Sequence, residues 1–112
     1  MYLRAFVEAV FAYTKAKEIN ISGHSMGVSL GRRVIKGGQA DDHTEGSYNV
    51  GASLAAKVPN FIGLAGANLG LTACYSASAL PTCGAKDGFY PGLLPSSGPS
   101  KFLNDLNTNS GQ

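Results

Sequence analysis

This sequence has no tryptophan, few charged residues and no long apolar run. Charged residues make up 14% of the 112 residues and hydrophobic residues 44%, a balance that excludes a disordered chain and favours a buried core. A formal net charge of +2 is too small and too scattered to indicate nucleic-acid binding. The one local basic cluster, Arg32, Arg33 and Lys36, is typical of cations near the C-terminal end of a helix, where the helix dipole favours them.

No apolar run approaches the roughly 20 residues that a membrane-spanning helix needs. The N-terminal segment is broken by Arg4 and Glu8, and it does not have the form of a signal peptide. If the complete gene product is secreted, we therefore expect its signal to lie upstream of Met1. The length of the chain fits one domain.

Cysteine is almost absent, with only Cys74 and Cys83, nine positions apart in a segment that also contains Pro81 and Gly84. A short disulfide loop is feasible there, and two free thiols are the alternative. Two cysteines without neighbouring ligands make a poor metal site, so we expect neither a metal nor another cofactor.

Hydrophobic periodicity predicts two amphipathic helices in the first third of the chain. Residues 3–16 carry apolar side chains at helical spacing, and Arg4 lies off that face. A helix of about three turns begins at Met26 and stops at the glycine pair 37 and 38. The expected apolar positions of the two helices are Leu3, Phe6, Val7, Val10 and Phe11, then Met26, Leu30 and Val34.

Two short apolar runs, residues 18–22 and 60–65, are predicted to be strands. Residues 39–57 are predicted to form a polar surface excursion that ends in a short helical turn. Beyond Leu71 we expect a long irregular loop, followed by a helix that Ser100 caps.

This order of elements indicates the α/β class, because two parallel strands can be joined only by a crossover. We expect a parallel sheet with helices on both faces. Since two strands do not make a stable sheet, residues 1–112 are predicted to form a single partial domain, without its early strands and its C-terminal part.

A serine lies between the first strand and the second helix, in the pattern G-x-S-x-G from Gly23 to Gly27. A nucleophilic serine must stand on a turn so tight that neighbouring Cβ atoms collide, and glycines at both flanking positions would relieve this. The spacing predicts a nucleophile elbow at Ser25, with the Met26 backbone N–H as an oxyanion donor. The alternative is a strand-to-helix turn of another doubly wound protein, in which Ser25 only caps the helix.

The stretches INISGHSMGVSLGRRVIKGG, KVPNFIGLAGANLGL, CYSASALPTC and DGFYPG together resemble the class 2 lipase family, over about residues 1 to 108. The resemblance implies an α/β-hydrolase fold, a Ser-Asp-His mechanism and lipid ester substrates. It also implies a secreted protein that can contact a lipid interface. The predicted disulfide fits such a setting. The small net charge leads us to expect no nucleic-acid partner, and the oligomeric state is left open.

Partners for Ser25 are hard to find in the chain. The fold orders its triad Ser, acid, His, and the later candidates are Asp41, Asp42, His43, Asp87 and Asp105. None follows a suitable strand, and His24 is too close in sequence to reach the serine hydroxyl. We therefore expect both partners to lie outside residues 1–112, and this chain alone to be nearly inactive.

Other features leave alternatives open. Leu69, Leu71, Phe89 and Tyr90 are candidates for an acyl-chain pocket or for ordinary packing. A non-catalytic lipid-binding or interaction remnant and another GHSMG hydrolase, a thioesterase or acyltransferase, are the rival functions. Asn20-Ile21-Ser22 matches a glycosylation sequon, but we expect a buried strand to make it inaccessible.

Overall fold

The structure is a computed structural model that describes residues 2–77, 79–92 and 97–108. Over these residues the chain forms the helices and strands α1 (Tyr2–Thr14), β1 (Ile21–His24), α2 (Met26–Lys36), β2 (Gln39–Asp42), β3 (Gly46–Asn49), β4 (Phe61–Leu64) and α3 (Lys101–Asn107). Single 3₁₀ turns cover Ala55–Lys57, Thr72–Tyr75 and Pro81–Cys83.

The chain divides into two units. The first unit contains residues 2–38 and 49–66, and the second contains the remaining described residues, 39–48, 67–77, 79–92 and 97–108. The expectation of one partial domain stays a prediction.

Strands β1 and β4 of the first unit pair in parallel, with Ile21 opposite Phe61 and His24 opposite Leu64. This confirms the α/β class, whereas a wider sheet covered on both faces stays a prediction. The predicted bounds of the first strand, residues 18–22, were wrong. The strand runs through Gly23 because that glycine pairs with Gly63 of β4 instead of ending the strand.

Helix α1 buries a different face from the one that periodicity predicted. Val7 is buried as expected, but Leu3 and Phe6 are exposed, and Arg4 is 9% exposed. The guanidinium Nη1 of Arg4 donates to the backbone oxygens of Val34 at 3.2 Å and Ala52 at 2.8 Å, so a charged side chain satisfies two carbonyls inside the unit. Its Nε donates to the Glu8 carboxylate at 2.7 Å.

The apolar core of the first unit lies under α1 and α2. It consists of Val7, Val34, Ile35, Leu54 and Val58, with Phe11, Ile19, Ile21, Ala55 and Phe61 packed against it. Helix α2 comes close to β4 at Gly31, where an added Cβ would lie 3.0 Å from the Phe61 ring. The predicted apolar stripe of α2 was wrong at Met26 and Leu30, which are exposed.

Two backbone hydrogen bonds join the points at which the chain leaves and re-enters the first unit. We call this pairing of Gly38 with Val50 and Gly51 the neck. The Gly38 N–H donates to the Gly51 carbonyl, and the Val50 N–H donates back to the Gly38 carbonyl, both at 2.8 Å. Gly37 has a φ of 71°, and a Cβ there would lie 2.4 Å from the Gly51 oxygen, so glycine is required.

Strands β2 and β3, which follow the neck, were missed in the sequence. Only residues 43–45 join them, so they form a hairpin. The expected excursion is therefore ordered, and the predicted short helical turn at its end is confirmed at Ala55–Lys57.

The second unit packs around Ala67, Phe89 and Leu103. Cys74 and Cys83 form a disulfide, which confirms that prediction and excludes two free thiols. The Ser100 hydroxyl accepts from the Leu103 N–H at 3.2 Å and donates to the Gly88 carbonyl at 2.6 Å, so the predicted cap of α3 is also confirmed.

Candidate functional site

Ser25 joins the end of β1 to the start of α2 in a backbone conformation that non-glycine residues rarely adopt. Its φ is 55° and its ψ is −127°. Its N–H donates to the carbonyl of Leu64, the last residue of β4, at 2.9 Å. A serine held in this region by both neighbouring elements costs on the order of 1–3 kcal/mol, and such strain clusters at functional sites.

The side chain of Ser25 is exposed and forms no capping hydrogen bond with α2. Helix-capping serines lower the free energy of the helix by accepting from the N–H groups of its first turn. The side-chain cap expected in the alternative is therefore absent, and the nucleophile elbow stays a prediction.

The two glycines of the motif, Gly23 and Gly27, differ in whether a side chain would fit in their place. A Cβ on Gly23 would lie 2.8 Å from the Gly27 oxygen and 3.0 Å from the Val28 nitrogen, so a side chain there would force backbone apart. A Cβ on Gly27 would meet nothing within 4 Å, and its φ is not positive. The steric explanation holds for the position two before the serine and is wrong for the position two after it.

Helix α2 begins directly after the serine and points its N-terminus at this corner. The first N–H groups of any α-helix have no acceptor within the helix, and they carry the positive end of its dipole. The Val28 N–H is already used, because it donates to the Ser25 carbonyl at 3.1 Å. The Met26 N–H precedes it at the first helical position, and its role as an oxyanion donor stays a prediction.

A groove of about 260 Å³ adjoins this corner in the first unit. Both residues that flank the Ser25–Met26 pair, His24 and Gly27, contribute to its wall, and the remainder comes from Leu3, Val7, Ile21, Ser22, Gly23, Gly31 and Val34. Sequence periodicity missed this groove because it is formed where α1, β1 and α2 approach one another.

The residues predicted for an acyl-chain pocket lie in the second unit. Phe89 is buried in its core and meets Phe102 edge to face, with ring centroids 5.5 Å apart. Tyr90 meets Tyr75 edge to face, whereas Leu69 is largely exposed. For Phe89 the structure favours ordinary packing, which was the alternative.

Asp41, one of the candidate acids, is bound on several sides within the second unit. Its carboxylate accepts from the Ser47 hydroxyl and lies 3.0 Å from Lys101 Nζ and 3.4 Å from Lys86 Nζ. The hydrogen bond from Ser47 and then that from Lys101 lower the pKa of Asp41 to about 2. These contacts tie the hairpin to α3, which is a structural role.

Asp42 is similarly engaged in the hairpin turn. Its Oδ1 accepts from the Thr44 hydroxyl at 2.7 Å, from the Thr44 N–H at 2.8 Å and from the Glu45 N–H at 3.0 Å. These bonds, led by the Thr44 hydroxyl, lower the pKa of Asp42 to about 2. His43 is exposed in the same turn.

The remaining acids of the candidate set lie near α3. Asp105 accepts from Lys101 Nζ at 2.7 Å, one helical turn away, and Asp105 and then Asp41 raise the pKa of Lys101. Asp87 approaches Gly84, where an added Cβ would lie 2.8 Å from its Oδ1.

Comparison with known proteins identifies the family. A family model described as lipase (class 2) matches residues 1–112. The chain belongs to the class 2 lipase family. No curated protein and no solved structure matched the chain.

Membership in the class 2 lipase family confirms the resemblance drawn from GHSMG, GLAGAN and the cysteine-bearing segment, and it implies the α/β-hydrolase fold. It also indicates a lipase or ester hydrolase function with a lipid or ester substrate. In the part of the chain that the structure describes, no helix of this class 2 lipase is long and apolar enough to cross a membrane.

Proposed function

We propose that this chain carries the nucleophile of a secreted lipase that hydrolyses carboxylic esters of acylglycerols. The observation that carries the proposal is the backbone of Ser25, a strained, exposed serine between a parallel strand and a helix N-terminus, without a capping bond. In α/β-hydrolases this arrangement is the nucleophile elbow.

In the proposed mechanism Ser25 Oγ attacks the ester carbonyl while a base takes its proton, and the alcohol leaves. The oxygen of the tetrahedral intermediate takes up negative charge at the start of α2. The Ser25 N–H is unavailable to it, because that group donates to the Leu64 carbonyl. The Met26 N–H is therefore the first backbone donor that can stabilise the oxyanion. Water then hydrolyses the acyl-enzyme and restores Ser25.

The base and its orienting acid are proposed to come from outside residues 1–112. The sequence has two histidines, and one peptide unit separates His24 from Ser25, which is too little for its ring to meet the hydroxyl in line. His43 is adjacent to a carboxylate that already accepts three hydrogen bonds. Loss of triad members lowers the rate by about 10⁴- to 10⁶-fold, so residues 1–112 alone should turn over esters very slowly.

The rival class is a non-catalytic lipid-binding or interaction protein that retains the serine corner. The observation in its favour is that Asp41 and Asp42 are both bound in structural contacts instead of facing an imidazole. Another GHSMG hydrolase, a thioesterase or acyltransferase, would share the corner and differ in its acyl acceptor or leaving group. The secretory setting of the proposal is supported by the family and by the disulfide.

A fluorophosphonate probe tests the proposal, because the start of α2 can stabilise the charge that develops on the phosphoryl oxygen when Ser25 attacks, and this supports a slow reaction even without the base. We expect residues 1–112 to be labelled slowly at Ser25, with labelling abolished in Ser25→Ala. Ser22→Ala removes another exposed serine, from β1, and should be labelled like the unaltered chain. Turnover of short-chain nitrophenyl esters should stay far below that of complete lipases.

Absence of labelling at Ser25 would overturn the nucleophile and favour the non-catalytic rival. Turnover that depends on Ser25 and matches that of complete lipases would overturn the proposal that the base lies elsewhere. Labelling that persists in Ser25→Ala would assign the reactive hydroxyl to another serine.

A further inference from the structure

The structure reverses the expectation for the sequon Asn20-Ile21-Ser22. Burial in a strand was the reason to regard it as inaccessible, but β1 begins only at Ile21. Asn20 precedes the strand and is exposed, and Ser22, the hydroxyl residue of the sequon, is exposed too. Among the asparagines of the sequence, Asn20 alone has serine or threonine two positions later, with no proline between.

The side-chain amide of Asn20 is held in a way that leaves its nitrogen available. Its Oδ1 accepts from Asn60 Nδ2 at 3.0 Å, and both side chains are exposed. An N-linked sugar is attached at Nδ2, and the linked amide keeps its carbonyl oxygen. The bond from Asn60 is therefore compatible with the modification, and it orients the amide plane on the surface.

The position of Asn20 also separates it from the candidate nucleophile. Asn20 lies at the amino end of β1 and Ser25 follows its carboxyl end. At about 3.3 Å per residue, the three steps of β1 from Ile21 to His24 alone span about 10 Å along the strand direction. A bulky, solvated oligosaccharide at the amino end leaves the serine corner accessible.

We propose that Asn20 carries an N-linked oligosaccharide. The donor is a lipid-linked oligosaccharide diphosphate: a bond forms between Asn20 Nδ2 and the anomeric carbon, the bond from that carbon to the diphosphate oxygen breaks, and one amide proton is lost to the leaving group. The proposal rests on the secretory passage proposed above and does not depend on ester hydrolysis.

The test places the 112-residue chain behind a cleavable secretion leader and translates it in the presence of microsomes. Chains protected from added protease are selected, so that every chain scored has entered the lumen. Intact mass is then measured before and after treatment with peptide N-glycanase. We expect an added oligosaccharide that the enzyme removes, and no added mass in Asn20→Gln or Ser22→Ala.

Two control variants make the result specific. Asn60→Gln keeps the sequon and only moves the hydrogen-bond donor away from its position by one methylene, so it should stay glycosylated. Glu45→Asn, made together with Asn20→Gln, creates the sequon Asn-Gly-Ser in the exposed hairpin turn and should be modified there.

Protected wild-type chains without sugar, alongside modified Glu45→Asn chains, would overturn the proposal. So would a sugar that persists in Asn20→Gln alone. Serine labelling by fluorophosphonate is scored separately, and its failure would leave the glycan result intact.

Discussion

The first unit is held together mainly by apolar side chains between helices and a strand pair, whereas the second relies heavily on cross-links. Five buried aliphatic residues form the core of the first unit. The second has a smaller cluster at Ala67, Phe89 and Leu103, and adds a disulfide and the ion pairs of Asp41. One chain thus stabilises its two units in chemically different ways, so reduction and acid should affect the units unequally.

Removing the disulfide should destabilise the second unit more than any other change considered below. Replacement of both Cys74 and Cys83 by Ala opens a loop whose ends are nine positions apart. Closure of a loop of that size stabilises by about 3 kcal/mol in the chain-entropy account. We expect backbone amides of Phe89 and Leu103 to lose hydrogen-exchange protection in the variant. Amides of β1 and α2 should keep theirs, and an equal loss in both units would contradict the comparison.

Within the first unit, a pair of glycine variants tests whether the serine corner is held by backbone packing. Gly23→Ala puts a Cβ 2.8 Å from the Gly27 oxygen, and overpacking of this kind costs about 2 kcal/mol. Gly27→Ala meets nothing within 4 Å and should raise stability by up to about 1 kcal/mol, because alanine favours the helix. Urea unfolding of both variants measures the difference.

Equal destabilisation by the two glycine variants would show that the corner is not limited by sterics at Gly23. Close packing at Gly23 would then not be what holds the corner of the first unit in place.

Acid should destabilise the second unit more than the first, by less than either change above. The pKa of Asp41 falls from its ordinary 3.8 to about 2 in the folded chain, chiefly through the Ser47 and Lys101 hydrogen bonds. A lowered pKa contributes stability that is fully present above pH 4 to 5 and is lost as the pH falls towards 2. Asp41→Asn should flatten that dependence, as measured by exchange protection of the second unit.

Glu18→Gln, which neutralises an exposed carboxylate of the first unit, serves as the matched control and should leave the profile of the second unit unchanged. If exchange protection of the second unit depends on pH equally steeply in Asp41→Asn and in the unaltered chain, the contacts of Asp41 do not stabilise that unit.

Sequence periodicity predicted the elements that depend on local pattern. It placed α2 at its observed start, α3 behind Ser100, and the parallel pair with bounds shifted by one to three residues. It could not place β2 and β3, because their residues are polar and are held by Asp41 contacts that come from distant positions in the chain. The pattern placed Arg4 off the buried face of α1, because the carbonyls that accept its hydrogen bonds belong to the distant residues 34 and 52.

The candidate site was predictable in part. The motif predicted a tight backbone turn at Ser25 and the need for glycine at position 23, both consequences of local backbone geometry. The bond from the Ser25 N–H to Leu64 was not predictable, because it depends on the register of two strands almost 40 positions apart. The accessibility of Asn20 was missed because the strand was expected to be buried on both faces, whereas residues 20, 22 and 24 share an exposed face.

The neck at Gly38, Val50 and Gly51 has a consequence for how this chain can vary. Two reciprocal backbone hydrogen bonds hold Gly38, where the chain leaves the first unit, beside Val50 and Gly51, where it returns. Neither bond involves a side chain. Because the entropy of closing a loop grows only slowly with its length, residues can be inserted into the exposed turn 43–45 while the two backbone bonds and the contacts of Asp41 are kept. The residue that has to be kept is Gly37, because a Cβ there would clash with the Gly51 oxygen.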